Sequence, residues 1–184
     1  MTKQKAISTT KPTVKVIGVG CGGNNIVNHI SQSNFESISF VACDMDIKVL
    51  EKSTAATTLQ LGTDCLGSGN KPEKANFAAE ENIDAIRKLF DDNPSLTFVV
   101  TCLGGGCGTG AAPIIARESK KMGITTIAFA TLPFEMEGER RFSQAMEGIR
   151  NMARDTDALF LLNNQYIKKQ YSDLTITNLK YKIL

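Results

Sequence analysis

The sequence predicts an α/β fold, a parallel sheet with helices on both faces. Three observations predict it. Short apolar, β-branched runs alternate along the chain with segments of helical periodicity. The runs are apolar throughout, without the polar alternation of a half-exposed strand, as expected for strands covered on both sides. Two of them feed straight into glycine-rich loops, and each loop leads into a helical segment. Strand, glycine loop and helix N-terminus in that order make an anion site: glycine lets the backbone approach closely, and the first N–H groups of the helix face the ligand.

The elements follow in order. Residues 1–12 are polar and basic and are expected to form a disordered tail. Val14 to Gly20 is a strand running into glycine, and Asn24 to Ser31 carries Ile26, Val27 and Ile30 at helical spacing. Ile38 to Cys43 is a second strand that ends at Asp44; Asp46 is placed to cap a short helix through Leu50. Thr57 to Leu61 is a third strand, and Gly62 to Pro72 a loop. Lys74 to Phe90 reads as one amphipathic helix with Phe77, Ile83, Ile86 and Phe90 on its buried side. Leu96 to Leu103 is the fourth strand, Ala111 to Met122 a helix, and Thr125 to Leu132 the fifth strand, ended by Pro133. Gly138 to Arg154 is helical through Phe142, Ala145, Met146 and Ile149. A turn at Asp155 to Asp157 leads to a sixth strand, Leu159 to Leu162.

Composition narrows the function. The 184 residues suffice for one sizeable core. Lys and Arg number 21 against 19 Asp and Glu, so nothing demands nucleic acid or an anionic membrane as partner. No apolar run approaches the roughly 20 residues that span a bilayer, and the N-terminus lacks the apolar core of a secretory signal. Five cysteines without a CxxC pair or zinc spacing read as reduced thiols of a cytoplasmic protein. His29 is the lone histidine and falls in a helix, which argues against a histidine metal site or relay.

The first loop, Gly18-Val19-Gly20-Cys21-Gly22-Gly23, fits G-x-G-x-x-G between a strand and a helix, and Asp44 ends the next strand. By itself this describes a Rossmann-like domain with a nicotinamide dinucleotide, Asp44 holding a ribose. The second loop, Gly104 to Gly110, changes that reading. Nine of the 15 glycines lie in these two loops, and two glycine loops at two strand ends cradle one polyphosphate from both sides. Neither loop is followed by the lysine of a P-loop. Backbone N–H groups and helix dipoles would then hold the phosphates, and a metal counterion, Mg²⁺, is expected.

These residues carry a resemblance. Gly104-Gly105-Gly106-Cys107-Gly108-Thr109-Gly110 resembles the signature loop of the tubulin/FtsZ family, and Ala111-Ala112-Pro113 follows it as in that family. Lys15 to Asn24 is similar to the family's first loop and Leu66 to Glu73 to its third. Leu132 to Gly138 with Arg141 resembles its PF-x-x-EG-x-x-R segment, and Asp157 to Asn164 its last strand. The resemblance implies a GTP-binding domain over 13–165, with 166–184 a truncated remnant leading into the family's central helix. It implies GTP or GDP as ligand. Cys21, Gly22, Gly23, Asn24 and Asn25 would form the first phosphate loop, and Gly105, Gly106, Cys107, Gly108 and Thr109 the signature loop. Glu137 and Arg141 would lie near sugar and base, and Asn164 would face guanine. It further implies cell division through head-to-tail filaments, with a second copy or an intact FtsZ subunit as partner, alongside division-ring proteins, at the division site in the cytoplasm.

Four departures from the family pattern bear on this. Cys21 replaces a usual glycine, so a strained φ is expected there. Cys107 replaces the signature threonine, and a thiol at a helix N-terminus is expected to have a lowered pKa. The loop between Leu61 and Leu66 is shortened. Nothing after Leu174 resembles the family's acidic loop, which reaches into the next subunit's nucleotide and positions the attacking water, so GTP hydrolysis is left open. Two alternatives stand beside the GTPase reading: an NAD-dependent oxidoreductase domain built on the first loop, and a GTP-binding filament cap that does not hydrolyse.

Overall fold

The computed structural model describes residues 14–33, 35 and 37–170. The expected tail and most of the 166–184 remnant lie outside them. Six strands form one sheet: β1 (Val14–Val19), β2 (Ile38–Asp44), β3 (Thr57–Gln60), β4 (Leu96–Cys102), β5 (Thr125–Leu132) and β6 (Ala158–Asn163). Every neighbouring pair is parallel, in the order β3-β2-β1-β4-β5-β6. The chain winds one way from β1 to β3 and the other way from β4 to β6. The reversal falls between β1 and β4, where ligands of such sheets bind. Val19 pairs with Thr101 at the ends of those two strands, so both glycine loops leave the sheet side by side.

The helices are α1 (Gly20–Ile30), α2 (Ile47–Leu50), α3 (Pro72–Glu81), α4 (Ile83–Lys88), α5 (Gly106–Lys121), α6 (Glu139–Asp155) and α7 (Asn164–Gln170). α1 and α5 begin four and five residues earlier than periodicity predicts. Their first turns are glycine-rich, which hides them from any apolar pattern. Asp46 caps α2 as expected, accepting from the Lys48 N–H at 2.9 Å. The single helix expected from Lys74 to Phe90 is two, broken at Asn82. Phe77 is exposed, and the buried side is instead Ala75, Ala78, Ala79, Ile86 and Phe90. Small residues win there because α3 lies close against α5, whose Gly110 faces the Pro72 carbonyl. In α6 the expected Phe142 and Met146 are exposed, while Ala145, Gly148 and Met152 are buried.

The main core lies on the α3–α5 side of the sheet, from Ile17, Val41 and Val99 to Ala111, Ile115 and Phe90. On the other side α1 covers Val16, Phe40 and Val100 through Val27. Among the described residues that cover stops at β4. Phe129 and Phe160 stack at 4.9 Å and stay exposed, as do Leu161 and Leu162. The edge of the sheet at β6 therefore presents apolar surface.

One ion cluster ties three helices together. The Glu118 carboxylate, 1% exposed, meets Arg87 at 2.9 Å, Arg117 at 3.0 Å and Lys121 at 2.9 Å. Arg117 also grips Glu80 with two hydrogen bonds of 2.7 and 2.8 Å. Burial raises the pKa of Glu118, but the three cations outweigh it and hold the group below its ordinary 4.5. A depressed carboxylate contributes stability above its unfolded pKa and loses it as pH falls through the folded one. Glu118→Gln is therefore expected to cost about 1–3 kcal/mol at pH 7. Urea unfolding at pH 7 and at pH 3.5 checks this: the difference from the unaltered chain should shrink at the lower pH.

Candidate functional site

The two glycine loops meet backbone to backbone. Gly20 adopts φ +77°, and a Cβ there would stand 2.8 Å from the Gly108 nitrogen, so neither conformation nor space admits another residue. Cross-braces fix the approach. Thr101 Oγ1 donates to the Val19 carbonyl at 3.2 Å, joining β4 to β1. The Gly104 N–H donates to Thr109 Oγ1 at 2.9 Å, closing the second loop on itself. Asn24 Nδ2 donates to the Cys43 carbonyl at 3.1 Å and lies 3.4 Å from Asp44 Oδ2, joining α1 to β2.

Above the junction opens a cleft of about 640 Å³. α1 and α5 both start at its floor, and no side chain caps either one. Their first N–H groups are left for a ligand, with two positive dipole ends converging on one point. The residues that line the cleft include Cys21, Gly22, Asn25, Gly105, Gly106, Cys107, Gly108, Glu137, Arg141 and Asn164. Three of the expected site residues are not among them. Gly23 sits against the Val100 carbonyl, and Asn24 and Thr109 are the buried braces just described. They shape the loops from behind.

The far wall comes from α6 and α7. Glu137 precedes α6 in a 3₁₀ turn, Glu135–Glu137. It accepts from the Phe134 N–H at 2.9 Å and pairs with Arg141 at 2.7 Å. Asn164 opens α7 at 8% exposure, and its Oδ1 is buried without a hydrogen-bond partner. A buried amide oxygen left unpaired is costly, of order 1–3 kcal/mol. A ligand N–H would relieve it.

Several lining residues come from stretches matched to the family above but were not named there as nucleotide contacts. Ser68, Gly69 and Asn70 form one wall, and Thr131 to Phe134 another. The sequence signal for the first was its Gly67, Gly69 and Asn70, which favour the positive φ that all three adopt. Asp44 and Asp46 also face the cleft. Burial raises the Asp44 pKa, partly countered by the Asp46 and Met45 N–H groups that donate to it.

Two expectations fail. Cys21 is not in a strained conformation; Gly20 takes the positive φ, and Cys21 lies in ordinary helix. The Cys107 thiol is not activated. It is buried against Cys43 and Asp44, and burial, with the nearby Asp44 charge, pushes its pKa up. Desolvation and a neighbouring carboxylate outweigh the helix dipole.

The GTPase domain of the Tubulin/FtsZ family matches residues 13–172. The chain belongs to this family. It is 41% identical over 169 residues to the cell division protein FtsZ of Porphyromonas gingivalis, covering 90% of this chain and 37% of that protein. It is 44% identical over 157 residues to the FtsZ of Pseudomonas putida, covering 84% and 39%. An empty FtsZ dimer from M. jannaschii superposes with a TM-score of 0.90 at 32% identity, over 96% of this chain and 52% of that one. The chain thus spans about two fifths of the length of these curated relatives and about half of that structure. Among the described residues no helix is long and apolar enough to cross a membrane.

The site geometry separates two glycines. Gly105 has open space where a Cβ would go, on the cleft side, whereas Gly20 has none. Gly20→Ala is expected to lower Tm by several degrees, from strain and clash of about 1–3 kcal/mol. Gly105→Ala should leave Tm near that of the unaltered chain. Thermal melts of the two variants check the contrast. Maleimide labelling at pH 7 checks the thiols: Cys21 and Cys65, both exposed, should react quickly, and the buried Cys43 and Cys107 slowly.

Proposed function

We propose that the cleft binds GTP and GDP, and that the chain is the nucleotide-binding part of an FtsZ-type cell division protein that assembles head to tail. The observation that carries this reading is the pair of uncapped helix N-termini, α1 and α5, converging on one cleft. Among the described residues that line the cleft, Arg141 is the one cation, and Glu137 already pairs with it. Phosphates would therefore rest on backbone N–H groups, with Cys21 to Asn25 on one side and Gly105 to Thr109 on the other.

The residues fit a nucleoside at the other end. The unpaired Asn164 Oδ1 suits a donor on the guanine edge. Glu137 and Arg141 flank the space between. Asp44 and Asp46 line the cleft, and one or both would help hold Mg²⁺ there. Bound there, the ion would offset phosphate charge that the cleft's own side chains leave unbalanced.

Hydrolysis needs a group free to orient water. Among the described residues the cleft's carboxylates already accept hydrogen bonds: Asp44 from the Met45 and Asp46 N–H groups, Asp46 from the Lys48 N–H, Glu137 from Phe134 and Arg141. We infer that the water-positioning carboxylate comes from a neighbouring subunit, as the family resemblance implies.

Competition binding with Mg²⁺ should rank GTP and GDP above ATP and NAD. Equal affinity for NAD would instead favour a dinucleotide reading of the first loop. Asn164→Leu should weaken GTP binding about tenfold, the worth of one hydrogen bond near 1.4 kcal/mol. Residues 1–184 alone should release phosphate very slowly at any concentration. Adding an intact FtsZ subunit should raise the rate; brisk release without it would place a catalytic group inside this chain.

A further inference from the structure

α6 bears on the cleft in two ways. Arg141 lines it directly; Gln144, about one turn further along, does not. The Gln144 amide instead crosses to the cleft wall of residues 67–70, where its Nε2 donates to the Asn70 carbonyl at 3.3 Å. That wall lies against the N-terminus of α5. A Cβ on Gly106 would collide with Ser68 Oγ and stand 2.8 Å from the Lys71 nitrogen. Gly67, Ser68, Gly69 and Asn70 all line the cleft there, beside N–H groups that no side chain caps.

The wall is held firmly at its ends and loosely between them. Before it, Leu66 bridges Asp46, and the Ile47 N–H donates to the Cys65 carbonyl at 3.4 Å. After it the chain enters α3 at Pro72. Between these points Gly67, Gly69 and Asn70 all take positive φ, and Gly69 is exposed with nothing near its missing Cβ. Glycine there leaves the backbone free to adopt other conformations. Among the described residues, the Gln144 bond is what ties this stretch to α6. Its anchor is rigid. A Cβ on Gly104 would stand 2.9 Å from the Arg141 carbonyl oxygen, and one on Gly148 2.9 Å from Thr109 Cγ2, so α6 sits on the second glycine loop on both sides of Gln144. The tie has a cost: Gln144 Oε1 and Asn70 Oδ1 are buried without hydrogen-bond partners. An apolar side chain would serve packing better than an amide with an unmet oxygen. What the amide adds is the bond from its nitrogen.

We propose that Gln144 is a positioning residue for the bound nucleotide: its bond holds the wall of residues 67–70 against the N-terminus of α5 and so slows the ligand's escape. The proposal rests on the reading of this cleft as the nucleotide site. Gln144 touches no ligand itself and acts through the Asn70 backbone. Without the bond the wall is free to swing from the phosphate end, which speeds departure more than it slows capture.

The test follows three quantities on the full chain: dissociation of a fluorescent GDP derivative by stopped flow, hydrogen exchange by peptide mass, and Tm without nucleotide. Gln144→Leu removes the donor and the unmet oxygen together. The GDP derivative should leave it about three- to tenfold faster, the worth of one neutral hydrogen bond. Its Tm should stay level or rise. Exchange should quicken in the peptide spanning residues 66–71 and stay unchanged in β1 and β4. Gln144→Glu keeps the shape, loses the donor, and should also release faster; it carries the same measurements if the leucine variant does not fold. Ser143→Ala, an exposed neighbour on the same helix, should match the unaltered chain throughout. Release at the unaltered rate, or unaltered exchange at residues 66–71, would overturn the proposal. So would a fall in Tm with exchange quickened across the whole sheet, the mark of a residue that only supports the fold. If the unaltered chain binds no GDP derivative, the nucleotide reading fails, while exchange at residues 66–71 still decides the tether.

Discussion

The rest of the structure depends on the approach of two backbones, at Gly20 and Gly108. A Cβ at Gly20 would stand 2.8 Å from the Gly108 nitrogen. Two helix N-termini ordinarily repel, since like dipole ends face each other. Here sheet order holds them together. Because β1 and β4 are adjacent and the chain winds away from them on both sides, the loops after them emerge at one place. The repulsion between α1 and α5 is stored in the fold, and an anion placed between them relieves it. The cleft suits an anion because of its backbone, before any side chain is considered.

Such a site needs stiff support, and small residues supply it. α5 runs through the core with Ala111, Ala112, Ile115 and Ala116 fully buried, and α3 meets it with Ala75 and Ala79. Alanine at these positions lets two helices lie close without loss of rotamer entropy. On the outer side, Glu118 with its three cations clamps α4 to α5, and Arg117 with Glu80 clamps α3. Lys15 does similar work beneath the sheet, donating to the Leu89 carbonyl and pairing with Asp92 at 2.7 Å. The loops above can then be glycine-rich without being slack.

Charge within the cleft runs against the ligand. Among the described residues, Asp44, Asp46 and Glu137 line it with Arg141 as their one cationic counterpart. Burial raises the Asp44 pKa, because its charged form is poorly solvated there. A counterion is the simplest physical remedy, which is why a divalent cation belongs in the functional reading. The apolar edge at Phe160, Leu161 and Leu162 is a separate matter.

The sequence by itself determined the fold class, the order of strands along the chain, the two glycine loops and the family. Local chemistry decides each of these: apolar runs make buried strands, and Gly where others cannot fit marks a close approach. It also determined the Asp46 cap, which needs only neighbours in sequence. Helix starts at Gly20 and Gly106 were not legible, because glycine carries no periodic signal. Nor was the buried side of α3, where packing against α5 selected Ala75 and Ala79 over Phe77. Only the tertiary structure decided which loop residues face the cleft and which brace from behind, as with Asn24 and Thr109. The same holds for Cys107, whose helix position promised a reactive thiol. Its neighbours Cys43 and Asp44 come from another strand, and a thiol's acidity depends on what surrounds it in space.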